Sequence, residues 1–332
     1  MTYIIAEIGN THEGSIGLAK QFIKVAARCG ADAVKIQTHI FEAESLISAP
    51  NPHYFKDESR KDYFDRTSFT LKELLILKKF AEDVCSVDFL SSPFSIEAVD
   101  LLEEVDIQRY KIPSGEVSNI PLLERIAETK KPIILSSGMS PWDDLDTAVN
   151  FLKDMGCNDI TLLQCSSIYP CPPECVGLNL LNQLSVRYQI PVGYSDHTLG
   201  VAAPLAAVAL GASIIEKHFT LSQEMYGSDA KHSMEPVEFK QMVDDIRDIS
   251  VMLRNPVDKD DISKNLLSMK HTFEKSIVAK LKINQGDIFT RKNLTLKKPG
   301  NGLPPKFFHQ ILGMKASNDI EKDEMLTKDS YS

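Results

Sequence analysis

The sequence has no long apolar run, and this absence excludes several classes of protein. Of its 332 residues, 43% are hydrophobic and 25% are charged, a composition typical of globular domains and unlike collagen-like, disordered or membrane-embedded chains. The apolar run at residues 201–215 is too short to span a bilayer, so we expect no membrane segment. Glu7 interrupts the only early apolar run, so the chain lacks the pattern of a secretory signal and we expect a cytoplasmic protein.

Positive charge and cysteine are also scarce. The 37 Lys and Arg residues against 46 Asp and Glu residues give a net charge of -9, which argues against nucleic acid as a partner but allows a local basic pocket for a small anion. The six cysteines lie mostly in apolar segments and fit reduced thiols. Cys165, Cys171 and Cys175 form a cluster without CxxC spacing, which does not favour a zinc site.

Short apolar runs alternate with segments of helical period over the first 250 or so residues. Strands are predicted at residues 3–7, 33–37, 87–91, 109–112, 132–136, 160–164, 190–194 and 213–218, and helices at 15–29, 71–85, 96–105, 120–129, 142–155, 178–188, 201–210 and 236–253. Eight strands alternating with eight helices predict a (β/α)8 TIM barrel. A doubly wound open sheet is the alternative, but no Gly-rich nucleotide fingerprint follows the first strand.

One connection, residues 38–70, is much longer than the others. It contains Pro50, Pro52, His53, Tyr54 and Phe55, and a run of charged residues follows at 56–62. Long connections are typically functional or disordered. In a barrel this one follows the second strand at the end where active sites lie, so it is either a partial lid or a solvated insertion.

The pattern changes after the predicted barrel domain, residues 1–255. Residues 256–275 are polar and are interpreted as a linker, and residues 276–332 as a small β-rich domain. Within that domain, residues 283–291 resemble residues 320–328, a weak internal repeat of strand, turn and apolar pair. The turn at residues 297–302 presents two cations, Lys297 and Lys298.

Two histidines end neighbouring predicted strands. His197 follows the seventh strand and His218 ends the eighth. Because strand side chains alternate between faces, Glu216 points the same way as His218. Two imidazoles, with water and substrate, can hold a divalent metal. The alternative is that each is an ordinary hydrogen-bonded histidine.

Lysines inside predicted buried strands are the second chemical signal. Lys35, which shares a face with Gln37, and Lys111 are costly to bury unless each has a charged partner or a ligand. With hydroxyls and backbone N–H groups from the neighbouring turns, they would form a cradle for phosphate and carboxylate groups. A Schiff-base aldolase lysine is the alternative, but it leaves the two histidines without a role.

Six stretches in order resemble the sialic acid synthase family, namely residues 5–9 (IAEIG), 30–37 (GADAVKIQ), 111–116 (KIPSGE), 193–198 (GYSDHT), 216–220 (EKHFT) and 299–302 (PGNG). Members of that family condense phosphoenolpyruvate with an N-acetylated amino sugar to make nonulosonic acids. The resemblance implies a TIM barrel followed by an antifreeze-like SAF domain, a metal-dependent transferase similar to N-acetylneuraminate synthase, and a domain-swapped homodimer.

The resemblance also implies roles for individual residues. His197 and His218 would bind Mn²⁺ or another divalent cation. The implied catalytic residues are Glu7, Glu116, Glu216 and Asp229. The implied substrate-binding residues are Lys35, Gln37, Lys111, Ser114, Ser136, Ser137, Ser167, Tyr169, Ser195 and Lys298.

The chain departs from the family pattern at three places. Thr11 stands before His12 where the family has Asn, residues 164–169 read QCSSIY instead of HCTNIY, and Lys298 replaces an arginine that reaches the N-acetyl region of the sugar. The acceptor sugar is therefore the least defined part. Legionaminic and pseudaminic acid synthases, which use diacetamido sugars, are alternatives. A catalytically silent sugar-binding protein is an alternative of another class.

Overall fold

The structure, a computed structural model, describes residues 1–51 and 57–332. The chain divides into two compact units, Met1–Arg254 and Asn255–Ser332. Across the described ranges, no helix is long and apolar enough to cross a membrane.

The first unit is a closed parallel barrel of eight strands, counted over the described residues, which confirms the predicted fold class. The strands are β1 (Tyr3–Gly9), β2 (Ala33–Thr38), β3 (Asp88–Pro93), β4 (Tyr110–Ile112), β5 (Ile133–Ser136), β6 (Ile160–Cys165), β7 (Val192–Asp196) and β8 (Ile214–His218). Each strand pairs with the next in sequence, and β1 pairs with β8.

Helices follow the strands along this unit. They are α1 (Ile16–Arg28), α2 (Phe41–Glu44), α3 (Arg60–Thr67), α4 (Leu71–Lys79), α5 (Ile96–Val105), α6 (Ile120–Glu128), α7 (Trp142–Asp154), α8 (Asn179–Tyr188), α9 (Ala202–Ala209) and α10 (Pro236–Arg254). Helix α1 begins as predicted, because Ser15 accepts a hydrogen bond from the Leu18 N–H and caps its first turn. Helix α4 continues as a π-helical turn, Phe80–Val84.

The long connection after β2 contains two helices, α2 and α3, that the sequence did not predict. Ser59 caps α3 by accepting from the Asp62 N–H. The interpretation of this connection also rested on Pro52, His53, Tyr54 and Phe55, which lie outside the described residues.

The barrel interior is built in layers by the alternation of strand side chains. A first layer is apolar and buried, formed by Ile5, Ala33, Leu90, Ile134, Leu163 and Ile214. Because side chains two residues apart share a face, the next inward positions are polar. These are Glu7, Lys35, Ser92, Ser136, Cys165 and Glu216, respectively. The apolar layer therefore closes the barrel beneath a polar layer at the carboxyl ends of the strands, where sites of this fold lie.

The second unit contains the helices α11 (Lys259–Asn265) and α12 (Leu267–Phe273), an antiparallel pair of strands, β9 (Ser276–Ala279) and β10 (Leu294–Lys297), and the short helix α13 (Phe308–Ile311). The segment predicted as a linker is thus largely helical. The internal repeat recurs in the structure: Asp287 and Glu324 each accept from the backbone N–H three residues earlier, at 2.8 and 2.7 Å. At matching positions, Gly286 and Asp323 have positive φ, 88° and 67°.

Candidate active site

A cavity of about 680 Å³ lies at the carboxyl ends of the barrel strands. It gathers most of the residues that the sequence singled out. These are Glu7, Lys35, Gln37, Lys111, Ser114, Glu116, Ser136, Ser167, Tyr169, Ser195, His197, Glu216, His218 and Asp229. They come from strands that are far apart in sequence, so only closure of the barrel brings them together.

Two buried lysines and two buried carboxylates form the floor of the cavity. Lys35 Nζ lies 2.7 Å from Glu7 Oε2 and 4.0 Å from Glu216 Oε1, and Lys111 Nζ lies 2.9 Å from Glu216 Oε1. Ser195 donates to the same Glu216 oxygen at 3.1 Å. Burial acts to raise the pKa of Glu216, but the charges of Lys111 and Lys35 outweigh it and lower that pKa to about 2. Glu216 is therefore ionised, and the floor is densely paired.

Three buried polar atoms at the ends of β5 and β8 have no hydrogen-bond partner among the described residues. They are Ser136 Oγ, Glu216 Oε2 and His218 Nδ1. Leaving a buried donor or acceptor unpaired costs about 1–3 kcal/mol, and most such atoms in proteins are paired. Their convergence on one cavity indicates a site shaped for a polar ligand.

The two histidines predicted as metal ligands lie side by side, with ring centroids 5.4 Å apart. His197 Nδ1 donates to the Ser166 carbonyl at 2.6 Å, which leaves Nε2 as the acceptor, and the Tyr169 hydroxyl lies 3.0 Å from it. Burial lowers the pKa of His218, so its ring is held neutral. A histidine binds a metal ion through a neutral imidazole, and a carbonyl on the other ring nitrogen orients the ring, as Ser166 does for His197.

Among the described residues, no group of three or more His, Cys, Asp or Glu side chains is arranged to hold a metal ion. A cation held by His197 and His218 would therefore take its remaining ligands from water or substrate. The pair and the unpartnered Nδ1 atom of His218 fit such an ion.

Two further carboxylates lie around the rim. Burial raises the pKa of Glu116, against a hydrogen bond of 2.7 Å from Asn119, so this group holds a proton more readily than an exposed glutamate. Asp229 lies against the end of β1, where Gly9 has φ +56° and an added Cβ would be 2.3 Å from Asp229 Oδ2. Glycine at this position is what allows the carboxylate to approach.

The structure does not bring Ser137, one of the predicted substrate ligands, to the cavity. Ser137 is turned away from it: its hydroxyl donates to Gln164 Oε1 at 3.2 Å and accepts from the Cys165 N–H at 3.2 Å. Ser136 and Ser137 follow each other at the end of β5, so they point to opposite sides and only Ser136 lines the cavity. Lys298 lies in the second unit, with its Nζ 5.2 Å from the centre of the Phe273 ring.

Several lining residues were missed by the sequence analysis. Ser92, at the end of β3, accepts from Lys35 at 3.1 Å. The Ser-Ser pair that follows the apolar part of that strand could have predicted a polar residue at this strand end. The inserted segment contributes Glu44, Ser45, Asn51, Arg60, Tyr63 and Phe64. The structure therefore favours the lid over the solvated insertion.

Comparison with known proteins gives a consistent result. Residues 22–258 match the NeuB family and residues 274–331 match the SAF domain. The chain is 41% identical over 337 residues to an N,N'-diacetyllegionaminic acid synthase of Campylobacter jejuni, covering 98% of each protein. It is 34% identical over 338 residues to the N-acetylneuraminate-9-phosphate synthase of Homo sapiens, covering 98% of this chain and 92% of that protein.

A solved structure is similar in fold. The crystal structure of an N-acetylneuraminic acid synthetase from Leptospira borgpetersenii in complex with citrate matches with a TM-score of 0.71 and 31% identity, covering 82% of this chain and 92% of that one.

Proposed function

The chain belongs to the NeuB family, and on that premise we propose that it is a nonulosonic acid synthase, which condenses phosphoenolpyruvate with a 2-acetamido or diacetamido hexose and water and releases phosphate. The observation that carries the proposal is the cavity floor, where two buried lysines and the unpartnered Ser136 hydroxyl lie beside two neighbouring imidazoles. The similarity to an N,N'-diacetyllegionaminic acid synthase favours a legionaminic-type product.

In this proposal, Lys35 and Lys111 hold the phosphate and carboxylate groups of phosphoenolpyruvate. Both lysines are 3% exposed, so their charges act in a poorly screened environment. On substrate binding they exchange part of their contact with Glu7 and Glu216 for the anionic ligand. The Ser136 hydroxyl donates to the same ligand and gains the partner it otherwise lacks.

The reaction forms a bond between C3 of phosphoenolpyruvate and the C1 aldehyde of the open-chain sugar. Water adds at C2, and the C–O bond to phosphate then breaks. Bound by His197 and His218, Mn²⁺ or another divalent cation would supply Lewis acidity for the aldehyde oxygen. Glu116, whose pKa is raised, is suited to hold and deliver a proton. Glu7, which accepts from Gln37 at 3.0 Å, orients the sugar hydroxyls.

A phosphate-release assay tests the proposal. The purified protein is given phosphoenolpyruvate, Mn²⁺ and a panel of 2-acetamido and 2,4-diacetamido hexoses. Phosphate release should require both substrates and should be abolished in Lys111→Met, while Lys240→Met, which changes a half-exposed lysine of α10, should keep full activity. If the folded protein releases no phosphate with any sugar of the panel, the proposal is contradicted.

A second experiment tests the aldolase alternative. Borohydride trapping of a substrate on Lys35 or Lys111 would favour that alternative instead.

Three expectations stay predictions of the family resemblance. They are the contact of Lys298 with the sugar, the domain-swapped homodimer and the cytoplasmic location. Analytical ultracentrifugation of the full chain checks the dimer, and the acceptor KM of Lys298→Met checks the sugar contact.

A further inference from the structure

Helix α3 carries three cations, and two of them are neutralised by carboxylates. Lys61 pairs with Glu42 and with Asp65. Arg66 pairs with Glu13 and Glu58, each at 2.6 Å. The pairs with Glu42, Asp65 and Glu58 lie within the inserted segment, and the pair with Glu13 links that segment to the loop that follows β1.

Arg60, the first residue of α3, is different. It has no carboxylate within ion-pair distance among residues 1–51 and 57–332, and its one hydrogen bond there is from Nη1 to Ser45 Oγ at a long 3.5 Å. Its Nε is buried without a hydrogen-bond partner. Arg60 also lines the cavity that holds the site. A guanidinium can only donate, so the Nε of Arg60 lacks an acceptor among the described residues at the edge of a ligand cavity.

The surroundings of Arg60 indicate what that acceptor is. His39 stacks between Phe64 and Phe94, with ring centroids 3.9 and 4.0 Å apart, and the Arg60 guanidinium carbon is 5.9 Å from the Phe64 ring centre. Glu44 also lines the cavity, and its Oε1 lies 2.8 Å from His39 Nδ1. This wall combines an unpaired donor, aromatic surface and negative charge.

The position of Arg60 restricts which part of the sugar it can meet. The reacting aldehyde carbon must approach the floor and the histidines, and the nitrogen of a substituent at C2 is only two bonds away from it. Arg60 lies instead on the inserted segment between β2 and α4, outside the strand ends. It therefore meets a substituent remote from C1, at C4 or beyond.

A phosphate and an acylamino group are the two remote acceptors to compare. A phosphate on this wall would lie near the Glu44 carboxylate, which repels it. An acylamino group is neutral, its carbonyl oxygen would accept from Arg60, and its methyl group would pack on Phe64. We infer that Arg60 donates to the carbonyl oxygen of a second acylamino group and makes this chain selective for an unphosphorylated 2,4-diacetamido hexose. The inference rests on the proposed synthase function.

The test compares three sugar substrates in the phosphate-release assay. They are a 2,4-diacetamido-2,4,6-trideoxyhexose, a 2-acetamido hexose with a hydroxyl at C4, and a 2-acetamido hexose 6-phosphate. In Arg60→Met, kcat/KM for the diacetamido sugar should fall by about tenfold to a hundredfold through the acceptor KM, as expected for a lost hydrogen bond from a charged donor. The KM for phosphoenolpyruvate and the rate with the 4-hydroxy sugar should change by less than about twofold.

Two further variants control for the fold. Lys61→Met alters the neighbouring residue of the same helix, outside the lining of this cavity, and should behave as wild type with every acceptor. Arg60→Lys keeps the charge and should recover part of the selectivity. An equal loss with both acetamido sugars, no loss in Arg60→Met, or a wild-type preference for the 6-phosphate would overturn the inference alone. Absence of phosphate release by the wild type with every acceptor would overturn the proposed function as well.

Discussion

Replacing Lys217 by methionine tests whether one buried ion pair maintains the wall that carries both histidines. Lys217 in β8 pairs in register with Asp196 in β7, and the residues that follow them are His218 and His197. The two side chains are 1% and 0% exposed. They lie between the barrel wall and the helices, because the alternation that turns His218 inward turns Lys217 outward.

The contacts of this pair set the size of the expected effect. Lys217 Nζ donates to Asp196 Oδ2 and to the Thr198 carbonyl, both at 2.5 Å. Asp196 also accepts from the Tyr194 hydroxyl at 3.0 Å and from the Thr198 N–H at 2.9 Å. Removing one partner of a buried pair costs about 3–5 kcal/mol because an uncompensated charge stays buried. Since Asp196 keeps its other donors, we expect the free energy of unfolding to fall by about 3 kcal/mol.

Urea denaturation followed by tryptophan fluorescence measures this change. Trp142 is the only tryptophan of the sequence and belongs to α7 of the barrel unit, so its signal reports on that unit. The control is Lys240→Met, which breaks an exposed i,i+4 pair with Asp244 and should cost less than about 1 kcal/mol. The double variant Lys217→Met with Asp196→Asn should regain stability, because no buried charge is then unpaired. If Lys217→Met costs no more than the control, the reasoning is wrong.

Three further predictions concern the site and its surroundings. His218→Ala should abolish metal-dependent phosphate release while the urea transition stays cooperative; full activity would contradict the metal assignment. Ser136→Ala should raise the KM for phosphoenolpyruvate about tenfold or more, with little change in stability, because the hydroxyl has no partner among the described residues; an unchanged KM would remove Ser136 from the anion site. Burial lowers the pKa of His12 to about 4. As the pH falls from about 6.5 to 4, the unfolded chain therefore takes up a proton before the folded protein does, and the free energy of unfolding should decline by about 3 kcal/mol. Urea denaturation of His12→Gln over the same pH range should lack this decline.

The barrel could be predicted because its evidence is local. A run of apolar residues followed by a polar tip marks a strand, and period-2 alternation places Glu216 with His218 and Lys35 with Gln37 on one face. The structure confirms both pairings, since all four residues line one cavity. The two helices of the inserted segment were not predicted, because α2 is four residues long and α3 is short and highly polar.

The sequence by itself determined the order of strands and helices and the polar residues that end the strands, since these follow from side-chain chemistry and backbone periodicity. The tertiary structure alone decided which of those residues meet. Closure of the barrel brings Glu7 of β1 beside Lys35 of β2 and turns Ser136 inward and Ser137 away. It also leaves Arg60 without a carboxylate among the described residues while Arg66 of the same helix has two. Such pairings depend on distances between segments far apart in the chain, which no local pattern specifies.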